Sequence, residues 1–412
     1  MKRRTYLTTA TATTALAVAG CTSGGDDDPD NDSDDEFGEF DDDEPSEAPP
    51  DLAGTWDDFE SLEEWTATKG SMEADTDRSV TGSQSVRLSA GSDARGRIVK
   101  SLSSPLDCSE VVPGLAMASE SSNAPAIQLW DENGHKAQYR QQTDPENPFV
   151  RRNFGLSKMG GEVDLSRIGE IHIVHWLGDD HEGDLWVDDL FFAPRSENGQ
   201  VMVQFHGGYE SEYETAYPIL DEHDIPATTF VATDRIRTSE NAEGDRLTRE
   251  QLDELSSDGW TVGSYANRGL RLLDFDPEDR EAEVRDAAAW LEDNGYGDGA
   301  RFFAFPGGQF DEVAYDAVAD QHDLAFAGRF PAQGYAANPH LCTRVTNPDP
   351  ETAGNLVEWT AEVGGITSIA FTHVDDSVAA SIDSLASSIT EHQEAGDLSL
   401  ISPAQLADEY VF

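Results

Sequence analysis

One stretch limits what this chain can become. An apolar strand, Val201-Met202-Val203-Gln204-Phe205, runs into the turn His206-Gly207-Gly208, and a polar helix follows from Glu210 to His223. A second strand comes next, Ile225-Pro226-Ala227-Thr228-Thr229-Phe230-Val231. Strand, turn, helix and strand at this spacing make a parallel α/β unit, and such folds build their sites at the carboxyl ends of strands. The alternation continues to the end of the chain. Strands read at 201–205, 228–232, 260–264, 302–305, 324–328, 366–371 and 398–401, with helices at 210–223, 248–257, 278–294, 311–321, 350–363 and 379–395. The last helix has Ile382, Leu385 and Ile389 on one face and Gly396 at its stop. Seven short apolar strands, each followed by a helix or connection, predict an α/β fold over 199–412 with a parallel sheet closed or nearly closed into a barrel.

Residues 51–195 read differently. Short β-rich runs at 79–80, 85–88, 96–99, 126–130, 170–174 and 185–187 are separated by Gly/Asp/Ser clusters, and no long amphipathic helix interrupts them. This pattern predicts a β-sandwich. The chain is therefore multidomain, with a sandwich ahead of a barrel.

Charge bears on partners. Asp and Glu number 82 against 27 Lys and Arg, a net charge of −55, and lysine is especially scarce. Acid spread through folded-looking segments suits a protein kept soluble in concentrated salt, and such a charge disfavours nucleic acid as a partner. The first 21 residues read as an address: Arg3-Arg4-Thr5-Tyr6-Leu7 is a twin-arginine pattern, and Ala10–Ala19 is an apolar run too short to span a bilayer. Val18-Ala19-Gly20-Cys21 resembles a lipobox, which implies export by the twin-arginine route and a lipid anchor at Cys21 on the outer face of the cytoplasmic membrane. Residues 22–50 are acidic with Gly, Ser and Pro, the composition of a disordered tether. Of the remaining cysteines, Cys108 and Cys342 read as buried small hydrophobes, with an interdomain disulfide as the alternative.

The barrel half resembles the polysaccharide deacetylase (NodB-homology) family. Tyr217-Pro218-Ile219-Leu220 and the Ile225–Phe230 strand fit its opening closely. The resemblance implies an irregular (β/α)7 barrel of NodB type, a polysaccharide or cell-surface glycan as partner, and hydrolysis of acetyl groups through a divalent metal, usually Zn²⁺. In the family's first motif a base aspartate and a metal aspartate stand where this chain has His206 and Gly207. In the second, two metal histidines stand where it has Tyr265 and Gly269. The later Phe305-Pro306-Gly307-Gly308 matches a groove motif, and Thr372-His373 matches the motif of the acid histidine. His206 and His373 are thus the candidate catalytic pair. Tyr209, Tyr265, Arg268, Phe305, Pro306, Gly307 and Gly308 would line the groove. His206, Tyr265, His373 and Asp375 are the set from which another metal site could be rebuilt. Arg268 would bring a cation to the former metal position, for a carboxylate or sulfate of an acidic glycan, or else would neutralise neighbours such as Asp274.

The sandwich half resembles jelly-roll carbohydrate-binding or galactose-binding-like domains at Asp58-Phe59-Glu60 with Trp65, at Thr81–Leu88 and at Trp186–Leu190. The resemblance implies a structural Ca²⁺ between the end strands, with Glu60 and Asp189 as ligand candidates. Trp130, Trp176 and Trp186 have faces suited to stacking on sugar rings, but most of them are expected in the core. Three functions stay open. One is a surface lipoprotein that binds or remodels glycan with its metal chemistry degenerate or lost. Another is an active hydrolase of acetylated polysaccharide with a reworked His206/His373 site. The last is a non-catalytic adhesion or scaffold module.

Overall fold

The computed structural model describes residues 50–91, 94–177, 183–239 and 243–412. The twin-arginine pattern, Cys21 and the acidic run up to residue 49 lie outside these residues.

Among the described residues the first half holds twelve strands: β1 (Gly54–Asp57), β2 (Trp65–Lys69), β3 (Ser71–Asp75), β4 (Ser85–Ser89), β5 (Arg95–Leu106), β6 (Val111–Ser119), β7 (Ala126–Asp131), β8 (Lys136–Arg140), β9 (Val150–Arg152), β10 (Gly155–Gly160), β11 (Ile168–Trp176) and β12 (Asp184–Pro194). They form two antiparallel sheets, ordered β3-β4-β12-β6-β9, with β1 also on β12, and β10-β8-β7-β11-β5-β2. Leu88, Leu115 and Met117 from the first sheet share a core with Ile98, Ile127 and Ile171 from the second. Alternation along strands such as β8, where the buried Ala137 and Tyr139 fall between the half-buried Lys136, Gln138 and Arg140, sends apolar side chains inward and polar ones outward. The first strand is Gly54–Asp57 rather than the run at Asp58–Glu60, which forms the connection to β2 with Phe59 buried at φ 53°. The run at 79–80 is not a strand: the backbone N–H groups of Val80 and Thr81 donate to the buried Asp188 carboxylate.

The second half holds β13 (Gly199–Gly207), β14 (Thr228–Val231), β15 (Thr261–Ser264), β16 (Phe302–Ala304), β17 (Leu324–Phe326), β18 (Val345–Thr346), β19 (Ile366–Phe371) and β20 (Leu398–Leu400). Around them lie α1 (Tyr217–Asp221), α2 (Arg249–Ser257), α3 (Pro277–Asp293), α4 (Glu312–Gln321), α5 (Pro350–Val363), α6 (Asp376–Ala395) and α7 (Pro403–Glu409). All the strands run parallel in one curled sheet, β17-β16-β15-β14-β13-β19-β18, with β20 also on β13. The edges approach each other through the run before β18, where Cys342 bridges Phe326 at the end of β17. Inside the curl sit Met202, Phe230, Phe302, Phe326 and Ile366; outside, Val201, Val203 and Phe205 pack on the helices. The segment expected as one helix over 210–223 opens as a π-turn at Glu212–Ala216 before α1.

The two halves are stitched together, and Pro50–Phe412 is one compact unit. Gln333 bridges Gly155 of β10 on one side and Ile366 of β19 on the other. Ala332 and Val363 of the second half sit in the sandwich core. The buried Asn153 amide donates to Asn338 O at 2.7 Å and Leu341 O at 3.1 Å, and accepts from Asn338 N at 3.1 Å. Cys108 and Cys342 are free thiols in separate cores, so no disulfide joins the halves. Burial pushes both thiols up to about 12.

Asn153→Ala leaves three backbone groups of the second half without their partner. It is expected to cost about 2 kcal/mol, read by chemical denaturation, because stranding buried polar groups costs their desolvation. An unchanged midpoint would show that this seam carries no stability.

Candidate functional site

The carboxyl end of β13 is the centre of the candidate site. His206 points into the curl and is 2% exposed. Its Nε2 lies 3.1 Å from Gln204 Oε1, and the Gln204 amide nitrogen donates to Met202 Sδ. With a carbonyl oxygen as its partner, Nε2 carries the proton and Nδ1 the lone pair. The ring packs on Phe230 and Tyr265, with centroids 5.5 and 5.4 Å away. Burial holds the imidazole well below its usual range, and the nearby Arg344 guanidinium adds to the effect. His206 is therefore neutral and seated beneath Tyr265.

Gly207 comes next, with φ 114°. A Cβ on it would stand 2.7 Å from Tyr209 Cε2 and 2.8 Å from Arg246 Nη1. Those two groups form a unit. Arg246 stacks over the Tyr209 ring at 3.6 Å and donates from Nη1 to Gly207 O at 2.7 Å. On its other side Tyr209 meets His373 edge-on, with centroids 5.4 Å apart. The Tyr209 backbone N–H donates to Glu212 Oε1 at 2.8 Å, and Thr229 Oγ1 donates to Glu212 Oε2 at 2.6 Å. Glu212 is fully buried, and burial pushes its carboxyl up to about 7 against the lowering effect of these bonds and of Arg246.

Tyr265, at the end of β15, has its hydroxyl 3.4 Å from Gly307 N. Phe305 and Pro306 are buried, Gly307 is exposed, and Gly307 and Gly308 have φ of 69° and 70°. Beneath them Arg344, itself buried, donates to the backbone carbonyls of Phe305 and Phe326. Burial lowers its guanidinium to about 10.

Several expected placements need correction. Arg268 does not project toward Tyr265. It pairs with the buried Glu283 at 2.5 Å and lies over Phe275 at 4.2 Å, while Asp274 is taken by Arg271. His206 and His373 are each held by different neighbours, the first by Gln204 and Tyr265, the second by Tyr209. Asp375 caps α6, its Oδ1 accepting from Ser377 N and Val378 N at 3.0 Å each. In the sandwich, Asp189 pairs with Arg151 at 2.5 Å and accepts from Thr55 Oγ1. Glu60 accepts from Ser83 N, Ser83 Oγ and Gln84 N. Both carboxylates proposed for Ca²⁺ thus serve protein donors. Trp186 is buried and donates to Asp75; Trp176 is half exposed.

A divalent metal at this mouth would need protein ligands. A ligand set at the positions of Gly207, Tyr265 and Gly269 offers one phenol and two glycines. A Cβ at Gly269 would stand 2.6 Å from Ala232 Cβ, and the space beside Gly207 holds a guanidinium. Among the described residues no group of three or more His, Cys, Asp or Glu side chains converges. This donor set does not fit the metal. Sequence reasoning missed Arg246, Arg344 and Glu212. Arg246 reaches the site from a loop, and its only signature is the backbone bridge Tyr209–Arg246.

Residues 194–326 match the model of the family described as Polysaccharide deacetylase. Over these residues the chain is similar to that family. YxkH of Bacillus subtilis (strain 168), named after the same family, is 28% identical over 118 residues. That alignment covers 29% of this chain and 40% of YxkH, so the chain spans less than half the length of this curated relative. A family 4 carbohydrate esterase from Streptomyces lividans, solved with acetate, aligns with 50% of this chain and 95% of its own at 14% identity and a TM-score of 0.36. A Streptococcus pyogenes deacetylase aligns with 35% of this chain and 62% of its own at 21% identity and a TM-score of 0.31.

Proposed function

We propose that this polysaccharide deacetylase-family chain binds or helps remodel surface glycan, with the family's metal chemistry lost. One observation carries the reading. Where a metal-binding carboxylate would project from position 207, the Tyr209 ring and the Arg246 guanidinium fill the space. A stacked tyrosine and a guanidinium are recognition groups for sugar rings and their anionic substituents. His206, neutral and buried, supports the ring of Tyr265 from below. Tyr209 and His373 face each other at the exposed rim. The same reading keeps the chain outside the cytoplasmic membrane, held by lipid on Cys21 after twin-arginine export.

The test is acetate release from acetylated chito-oligosaccharides and peptidoglycan-like glycans, with Zn²⁺, Mn²⁺, Co²⁺ or chelator added. The expected result is no metal-dependent acetate, together with glycan affinity that falls about tenfold on Tyr209→Ala, the loss of about 1.4 kcal/mol that one stacked aromatic supplies. Zinc-dependent acetate release abolished by His373→Ala would sink the proposal and establish a working hydrolase.

A further inference from the structure

The sandwich carries a second surface with chemistry of its own. On the outer face of the sheet β10-β8-β7-β11-β5-β2, a groove of about 520 Å³ lies over β2, β5 and β11, its lining including Thr66, Arg97 and His172 with the acids Glu64 and Glu170. In register across the strands, Val174 stands opposite Arg97, His172 opposite Gln128, and Gln128 opposite Gln138. Trp130 stands opposite Lys136, and Gln138 opposite Lys158. With strands about 4.8 Å apart, the row from Arg97 on β5 to Lys158 on β10 is about 20 Å long, enough for a chain of linked units rather than a single ion.

Two properties of this row point to its ligand. Its cations are uncompensated. Arg97, Lys136 and Lys158 have no carboxylate partner among the described residues, in a chain where 82 acids outnumber 27 Lys and Arg. Of the acids lining the groove, Glu64 pairs with Lys100 at 2.8 Å, and Glu170 bonds at 2.9 Å to His172, whose imidazole burial holds below its usual range, so Glu170 keeps its charge at the β11 end of the row. Arg97 and Lys158 act on Lys136, which burial and their charge together hold below the usual lysine range. Like charges gathered without counter-charge cost stability, and an anion laid across them relieves that cost. The second property is the uncharged layer between the cations, in which His172 and Gln128 are buried and Lys136 lies over the half-buried Trp130 ring at 4.6 Å. Trp130 stacks on His172 at 5.1 Å, and Gln128 and Gln138 bond amide to amide at 2.8 Å. Trp176, on the same side of β11, is 50% exposed. Aromatic faces with amide and hydroxyl donors suit sugar rings.

We infer that this face binds an anionic glycan, a polymer of sugars bearing carboxylate or sulfate groups, along the row Arg97–His172–Trp130–Lys136–Lys158. The carbohydrate half of the inference rests on the function proposed above; the anion half rests on the uncompensated cations alone.

The full chain is titrated calorimetrically with polygalacturonate, its fully methyl-esterified form, dextran sulfate, dextran and poly-L-glutamate, in the lowest salt at which near-UV circular dichroism shows it folded. Binding is expected to polygalacturonate or dextran sulfate, whichever carries the matching anion, and at least tenfold weaker to the uncharged counterpart. The combined change Arg97→Ala, Lys136→Ala and Lys158→Ala should weaken it at least tenfold with the near-UV spectrum unchanged, and Trp176→Ala alone severalfold. Equal affinity for charged and uncharged polymers, binding to neither anionic glycan, or full affinity in the triple variant would overturn the inference. Poly-L-glutamate binding as tightly as the glycans would overturn its carbohydrate half. The mouth of the curled sheet is tested separately by acetate release and Tyr209→Ala, so either reading can fail alone.

Discussion

Aspartate placed at position 207 is expected to destabilise the fold by about 2–4 kcal/mol and to bring no metal with it. The backbone there has φ 114°, a region open to glycine and strained for any residue with a Cβ. That Cβ would press on Tyr209 Cε2 and Arg246 Nη1 at 2.7 and 2.8 Å, so the stacked pair must part. Once accommodated, the carboxylate lies against a guanidinium and is neutralised by it rather than by a cation from solution. Gly207→Ala suffers the same strain without this pairing and should be the less stable of the two. Removing the guanidinium as well, in Gly207→Asp with Arg246→Ala, should relieve the contact but expose an unpaired buried acid. The measurements are denaturant unfolding of the three variants and zinc titration of each. Micromolar zinc binding by Gly207→Asp, or unfolding midpoints unchanged from the parent chain, would show that the metal position was preserved after all.

The case of position 207 shows what a sequence makes legible. The curled sheet was readable because buried parallel strands are continuous apolar runs, and Val201–Phe205 and Ile366–Phe371 lie where those runs predict. β6 was not readable. Its segment Val111-Val112-Pro113-Gly114 carries two residues that ordinarily end a strand, yet every position of β6 is buried. The glycine is there because Phe191 crosses it: a Cβ at Gly114 would stand 2.2 Å from Phe191 Cζ. At the mouth, motif positions such as His206, Tyr265 and His373 can be named from the sequence, and a residue brought in by a loop cannot. Arg268 lies beside Tyr265 in sequence, but Glu283 on α3 draws it away. Arg246 is far in sequence and arrives by the pairing of its loop with Tyr209. Charge in the mouth is thus set by tertiary partners, which periodicity does not encode.

Glu212 supplies the second large effect, and its sign depends on pH. Its carboxyl is pushed from an ordinary 4.5 up to about 7 in the fold, chiefly by burial. Below about pH 4.5 the group is protonated in both the folded and unfolded chain and costs nothing. As pH rises through 7, the unfolded chain has already lost the proton and the folded chain must hold an ion in the core. The gap corresponds to about 3 kcal/mol of stability that is fully present below about pH 4.5 and is lost as the pH rises to about 7. Glu212→Gln removes this cost while keeping both hydrogen bonds, its carbonyl accepting from Tyr209 N and its amide donating to the Thr229 hydroxyl. Glutamine at 212 is therefore expected to be more stable than the parent by about 1–3 kcal/mol at pH 8 and equal to it near pH 4.5, the span allowing for the charge attraction to Arg246 that is lost. Glu212→Ala should be less stable than Glu212→Gln at both pH values, because it strands the Tyr209 N–H and the Thr229 hydroxyl. Urea unfolding of the three chains at pH 5 and pH 8 in one salt separates this group from the other acids, since only the difference between variants is read. A glutamine variant that tracks the parent at every pH would mean that Glu212 ionises freely. Because Glu212 fixes the backbone of Tyr209, Glu212→Ala should also weaken glycan binding in the proportion that Tyr209→Ala does, and Glu212→Gln should spare it.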